Sequence, residues 1–234
     1  MTLACITLDS YNGIYKNLDF DVKRDFAGVT LIGRQPSILA VHASVPAATV
    51  KELITLARAQ PGKLAYASAG SGSATHLGAE LFKYSTGVDL IHVPYKSAGL
   101  ATSALLSGEA QVVLTNMASV MPHLKSGRIK ALGISESKRS ALAPTLPTVA
   151  ESGVEGFEYS TWYAMLVPAG TPKAIIQHIG SDLAALIRHS KTHDRFVSLG
   201  METYVTTPAE LDAYLYSEIA KWDKVIRAAG VRAE

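Results

Sequence analysis

The stretch Leu64–Leu77, LAYASAGSGSATHL, concentrates the residue types best able to hold an anion. It reads as a short strand from Leu64 to Ser68, a loop of small residues, and a helix opening near Thr75. The first turn of a helix leaves backbone N–H groups unpaired, and the macrodipole adds partial positive charge there. A tight Gly/Ser loop admits a ligand to those groups, with the hydroxyls of Ser71, Ser73 and Thr75 beside them. His76, at the helix start, is a further candidate donor. Such a site holds an anion with no charged side chain.

The loop matches none of the named glycine motifs. Thr75 stands where the third glycine of GxGxxG belongs, no Lys-Ser/Thr pair follows, and no serine sits in GxSxG. An ordinary strand-to-helix turn explains the same residues on local pattern alone, so the elements around it must decide.

Those elements alternate. A strand over residues 3–8 and a polar turn region containing Asn12-Gly13 come first, then apolar runs at 28–33 and 37–42. Thr49 and Glu52 have capping-box spacing ahead of a helix that Pro61-Gly62 stops. Strand 64–68, helix 75–86, strand 90–94, helix 98–107, strand 111–115, helix 117–125 and strand 129–135 follow. Gly87, Gly108 and Gly127 stand at the helix C-termini. Thr148 and Glu151 make another capping box, residues 158–167 read as a strand, and Thr171-Pro172 and Thr207-Pro208 open two long amphipathic helices. Ile175, Ile176, Ile179, Leu183 and Leu186 form the expected apolar face of the first. Alternation of this kind implies a parallel or mixed sheet with helices on both faces. Ligands then sit at the strand carboxyl ends, where the 70–76 loop, the Tyr95–Gly99 loop and Asn116 fall together. That convergence favours the anion site.

Bulk composition excludes several classes. The 234 residues carry a net charge of +2 with basic residues scattered, which gives no footprint for nucleic acid. No apolar run reaches transmembrane length. Cys5 is the single cysteine, so no intramolecular disulfide forms. Among the seven histidines no metal-ligand set is expected, and no cofactor. His92, mid-strand among apolar residues, reads as structural. The chain as given opens with no secretory leader.

Several segments in order resemble the receptor family of tripartite tricarboxylate transporters, the Bug (TctC-type) periplasmic solute-binding proteins. They are Tyr66–Leu77, His92-Val93-Pro94-Tyr95-Lys96, Pro122–Gly127, Leu146–Glu151 and Pro168-Ala169-Gly170-Thr171-Pro172. The resemblance runs from about Asp21 to the C-terminus. It implies an α/β, periplasmic-binding-protein-like (type II) fold of two lobes joined by hinge strands, here residues 37–42 and 158–167. Lobe 1 would combine 1–43 with 161–234, and lobe 2, residues 44–160, would carry the anion loop. It also implies a non-enzymatic receptor in the periplasm that binds a small organic carboxylate and delivers it to membrane permease subunits.

Carried over residue by residue, the ligand contacts would come from Ser68, Gly70, Ser71, Gly72, Ser73, Thr75 and His76. Tyr95, Lys96 and Asn116 would line the same cleft, and Trp162, near a hinge strand, would pack beside the ligand. The sequence departs from the family at Ser97-Ala98-Gly99-Leu100, usually a Gly-Gly pair with a following Pro, and at Thr115, often Asp. Both departures bear on ligand identity. The family's opening strand, ligand loop and helix have no counterpart here, so lobe 1 is expected to be incomplete, with weak binding and exposed apolar sheet surface. Two other readings remain open: a small α/β hydrolase pairing Ser71 or Ser73 with His76, and a truncated relic that binds nothing.

Overall fold

The structure, a computed structural model, describes residues 2–5 and 19–231. The expected Asn12-Gly13 turn and the end of the first expected strand lie outside the described residues. Two compact units result: the described residues up to Gln35 with those from Thr161 onward, and Pro36–Ser160.

The second unit is built on β3 (Ala65–Ser68), β4 (Ile91–Pro94), β5 (Val112–Asn116) and β6 (Ile129–Ile134), with the latter half of β2 (Phe26–His42). β3 pairs in parallel with both β4 and β5. β2 runs antiparallel to β5 on one side and to β6 on the other. Ile38, Leu39, Ala40 and Val41 are therefore enclosed on both faces, which explains an unbroken apolar run in place of alternation. Between the strands lie α2 (Val50–Ala59), α3 (Ala74–Thr86), α4 (Ala98–Ser107) and α5 (Met117–Leu124). Ile38, Leu105, Val113, Met117, Val120 and Ile134 form one core cluster between them.

In this unit the four helices each carry a side-chain cap. Thr49 caps α2, Ser73 caps α3, Ser97 caps α4 and Asn116 caps α5, each accepting from a backbone N–H of the first turn. Gly87 and Gly108 close α3 and α4 in the left-handed region, at φ +66° and +80°, as the sequence predicts. The Thr148/Glu151 box forms reciprocally, at 2.9 Å in each direction, but it caps only a run of turns.

In the other unit, β1 (Thr2–Cys5) pairs antiparallel with β7 (Ser160–Pro168), and β8 (Glu202–Thr203) pairs antiparallel with Gly33-Arg34 of β2. Around them lie α1 (Val22–Asp25), α6 (Lys173–Arg188), α7 (Ser190–Ser198) and α8 (Pro208–Ala229). The Thr207/Glu210 box at the start of α8 is complete. α6 and α7 are separated by His189, whose extended backbone (ψ 131°) breaks the helix with no glycine or proline.

Two expectations are corrected. The runs at 28–33 and 37–42 are one strand, because Pro36 sits between Arg34, the last residue paired to β8, and Ser37, the first paired to β5. Its missing N–H therefore interrupts neither of those ladders. The apolar face of α6 runs through Ile176, Ile179, Leu183 and Ile187, and Ile175 and Leu186 are exposed. The helical period is as read, but its phase is one residue later.

Chain entry to and exit from the second unit are fastened to one residue. Ser135 donates its N–H to the Ser37 carbonyl (2.9 Å), and its Oγ accepts from the Ser37 N–H (3.0 Å). Its carbonyl accepts from the Tyr159 N–H (2.8 Å), and its hydroxyl donates to the Tyr159 carbonyl. Ser135 has no exposed surface.

Candidate functional site

Parallel pairing of β3, β4 and β5 puts their carboxyl ends on one edge of the sheet, and the helices α3, α4 and α5 all begin there. The loop from Ser68 to Ser73 is shaped by its own hydrogen bonds. Ala69 N–H donates to Thr75 Oγ1 (2.8 Å), Gly70 N–H to Ser68 Oγ (3.1 Å), and Ser73 N–H to the Gly70 carbonyl (3.1 Å). Gly72 N–H donates to His76 Nδ1 (2.9 Å), and His76 N–H to Ser73 Oγ (3.3 Å). Gly70 and Gly72 adopt φ of +114° and +73°, which a side chain would strain. At Gly70 a Cβ would also stand 3.4 Å from the Tyr95 carbonyl.

This bonding leaves a defined remainder. Among the described residues, no intramolecular acceptor serves the N–H groups of Ser71, Ala74 or Thr75, all at the positive end of the 13-residue α3. Ser73 Oγ and Thr75 Oγ1 lie 3.1 Å apart, and each already accepts an amide. One hydroxyl proton closes the contact between them, so the other stays free to donate. Three amides and one hydroxyl therefore form a neutral donor set of the kind that holds a carboxylate.

The expected site residues fall into distinct positions. Ser71 is exposed. Ser73 and Thr75 serve mainly the loop, and Thr75 is 8% exposed. Tyr95 donates its N–H to the Ser68 carbonyl at 2.9 Å, which ties the β4 loop to the β3 loop. Burial, with Glu109 beyond it, pushes the Tyr95 phenol up. Lys96 is exposed. Asn116 Oδ1 accepts from both the N–H (3.0 Å) and the hydroxyl (2.7 Å) of Ser119, so that side chain caps α5. Trp162 belongs to the other unit, where it has no exposed surface and packs edge-on against Tyr214 at 5.9 Å.

Beneath the loop lies a group the sequence does not announce. His76 and His92 stack with ring centroids 3.9 Å apart and 6° between planes, and Tyr66 stacks on His92 at 4.9 Å. His92 Nε2 is 2.6 Å from Ser68 Oγ. The Tyr66 hydroxyl donates to Glu80 Oε1 (2.6 Å), which Lys83 Nζ also meets at 2.8 Å. Burial first, then the neighbouring His92, push the His76 imidazole down to about 4, and burial pushes His92 down as well. Burial and the Glu80 carboxylate push the Tyr66 phenol up. The Tyr159 hydroxyl donates to the Ala74 carbonyl and holds the first turn of α3 from the other side. His92 at mid-strand was visible in sequence, but its partner in the stack belongs to a different element.

The pairing of Ser71 or Ser73 with His76 does not form. His76 Nδ1 is taken by the Gly72 amide, its Nε2 faces Glu80 at 4.0 Å, and Ser73 Oγ caps the helix. Ser68, whose Oγ does meet an imidazole beneath this loop, has no exposed surface. Among the described residues no group of three or more His, Cys, Asp or Glu is placed to hold a metal ion, and no helix is long and apolar enough to cross a membrane.

The family model described as tripartite tricarboxylate transporter family receptor matches residues 2–231. A UPF0065 protein from the tcbD-tcbE intergenic region of a Pseudomonas species is 32% identical over 91% of this chain and 63% of its own length. The chain thus spans somewhat under two thirds of that relative. The structure of R. palustris Rpa4515 with adipate superimposes with a TM-score of 0.83 at 32% identity, covering 99% of this chain and 78% of that one. The periplasmic binding protein BugD gives 0.80 at 28% identity, with 99% and 78% covered. The mixed α/β fold, an open sheet flanked by helices, is the periplasmic-binding-protein-like (type II) fold of these neighbours.

Proposed function

This chain belongs to the receptor family of tripartite tricarboxylate transporters, and from that membership we propose that it is a solute-binding receptor for a small organic carboxylate. The two units would be its lobes, and the loop from Ser68 to His76 would seat one carboxylate of the ligand. The observation that carries this reading is the set of unpaired N–H groups of Ser71, Ala74 and Thr75 at the start of α3. Amide donors at a helix N-terminus favour an anion without the desolvation cost of a buried cation. Tyr95, Lys96 and Asn116 belong to the same sheet edge and would shape selectivity around the bound acid. The family's receptors are periplasmic solute-binding proteins, and the proposal extends to periplasmic location and delivery of the acid to membrane permease subunits. The adipate in the R. palustris neighbour supports a dicarboxylate as the first ligand to try.

Binding is tested by thermal shift and calorimetry of the chain against adipate and a panel of other mono-, di- and tricarboxylates. A ligand at about 100 times its dissociation constant adds roughly 2.7 kcal/mol to stability and raises the melting temperature by several degrees. The matching substitution is Ala74→Pro. Ala74 is the first helical residue, where proline is tolerated, and Ser73 (ψ 161°) already has the extended backbone that proline requires before it. That variant deletes one ligand-facing N–H with the helix intact, and the acid should bind roughly five- to tenfold more weakly. No shift with any acid refutes the receptor reading. Unchanged affinity in Ala74→Pro moves the site elsewhere.

A further inference from the structure

Two imidazoles support the anion loop from below. His76 Nδ1 accepts the Gly72 N–H at 2.9 Å. A ring nitrogen accepts only when unprotonated, so the neutral ring of His76 carries its proton on Nε2. His92 Nε2 lies 2.6 Å from Ser68 Oγ, and that same oxygen accepts the Gly70 N–H at 3.1 Å. The amides on either side of Ser71 are therefore each tied to a histidine, one directly and one through a hydroxyl.

We propose that His76 is a positioning residue: its Nδ1 accepts the Gly72 N–H, fixes Gly72 and thereby aims the unpaired N–H groups of Ser71, Ala74 and Thr75. The inference rests on the reading of this loop as an anion site, and it removes His76 from the ligand contacts, since only 6% of the residue is exposed. The chemistry explains the residue type. A carboxylate would accept the Gly72 amide equally well, but its negative charge would sit directly under the bound acid. Neutral imidazole supplies the acceptor without the charge.

The surroundings keep it neutral. His92 lies face to face with it, so a proton on either ring is opposed by any positive charge on the other. Glu80 Oε1 is 4.0 Å from His76 Nε2, but its charge is already met by Lys83 Nζ at 2.8 Å and by the Tyr66 hydroxyl at 2.6 Å. Lys83 in turn stands over the Tyr66 ring at 5.7 Å, which adds a cation on the same side. Burial first, then His92 and Lys83, push His76 down to about 4 against the opposing pull of Glu80, so the acceptor persists through the neutral and mildly acidic range.

The test is nuclear magnetic resonance on the full chain without ligand, following the imidazole nitrogens of His76 and the Gly72 amide as pH is lowered. The expected result is an Nε2–H tautomer, with the Gly72 amide protected from exchange until His76 titrates and released in step with it. His76→Asn places Oδ1 close to the Nδ1 position and should hold Gly72 with no pH step. His76→Phe keeps the stack but lacks the acceptor, and should lose about tenfold or more of the protection at every pH. An Nδ1–H tautomer overturns the proposal. So does titration of His76 that leaves Gly72 unmoved, or full protection in His76→Phe. Should the phenylalanine variant fail to fold, the wild-type tautomer and the asparagine profile still decide. Titrations of the same samples with adipate and the rest of the acid panel separate the two ideas. Gly72 behaving as stated with no acid bound by wild type refutes the receptor reading alone, and adipate bound equally well by His76→Phe refutes the positioning role alone.

Discussion

Acid should weaken the fold in a window that His76 shares with His92, and the His76 part can be isolated by substitution. In the unfolded chain this imidazole titrates near its ordinary 6.5, and in the folded chain near 4. Between those values the unfolded state binds more protons than the native state, so stability rises with pH across the window and is lost on acidification. The contribution is complete above about pH 6.5 and falls away as pH drops towards 4. Each pH unit inside the window is worth about 1.4 kcal/mol per group, so roughly 2 kcal/mol should be gone by about pH 5. Carboxylates held low do not interfere. Asp25 is lowered to about 2 by the Arg24 guanidinium, and Glu151 and Glu210 are lowered by hydrogen bonds to Thr148 and Thr207, so their losses come at lower pH. Urea denaturation of wild type and His76→Asn at a series of pH values measures the effect. The two stability curves should draw together by about 2 kcal/mol between neutral pH and pH 5, whatever their offset. Curves that stay parallel through that window would refute the assignment of a depressed imidazole to His76.

Two substitutions test the frame around the loop. At Gly78, in the middle of α3, a Cβ would stand 2.7 Å from Leu114 Cδ2 and 2.7 Å from Tyr159 Cε1, so Gly78→Ala should cost about 1–3 kcal/mol by overpacking. Equilibrium denaturation reads this directly, and an unchanged midpoint would contradict the close seating of α3 on β5. Asn116→Ala removes the cap of α5 and should cost about 1 kcal/mol. If the side chain also touches ligand, adipate affinity measured by calorimetry will fall beyond what the stability loss explains.

What the sequence could show follows from how local each signal is. The strand and helix order from β3 to β6 was legible because each element carries its own period and α3 and α4 stop at Gly87 and Gly108, whereas α5 has its C-cap at Lys125, two residues short of the expected Gly127. The joining of β2 across Arg34-Gln35-Pro36 was not, because proline's harmlessness there depends on which strands lie alongside. The break at His189 had no glycine or proline to announce it. At the site, the sequence displayed a run of small hydroxylated residues at a helix start, and the loop lies where that pattern puts it. It could not show how Ser68, Ser73 and Thr75 distribute their hydrogen bonds, since those depend on ångström-scale turns at Gly70 and Gly72. The stack of His76 on His92 was beyond reach for a related reason. One ring is carried by a helix and the other by an edge strand, and nothing in either local pattern marks them as neighbours.

The fastening of Ser37 and Tyr159 to the single residue Ser135 has a genetic consequence. A unit whose two ends are held side by side can be lodged within another chain, or taken out of one, with little more than a short bridge across the gap. Residues 36–160 meet that condition, and they hold the whole Ser68–His76 loop with its supporting histidines. The half of this protein that holds the proposed anion loop is in that sense a transferable cassette, whose ends nature has already brought to one address.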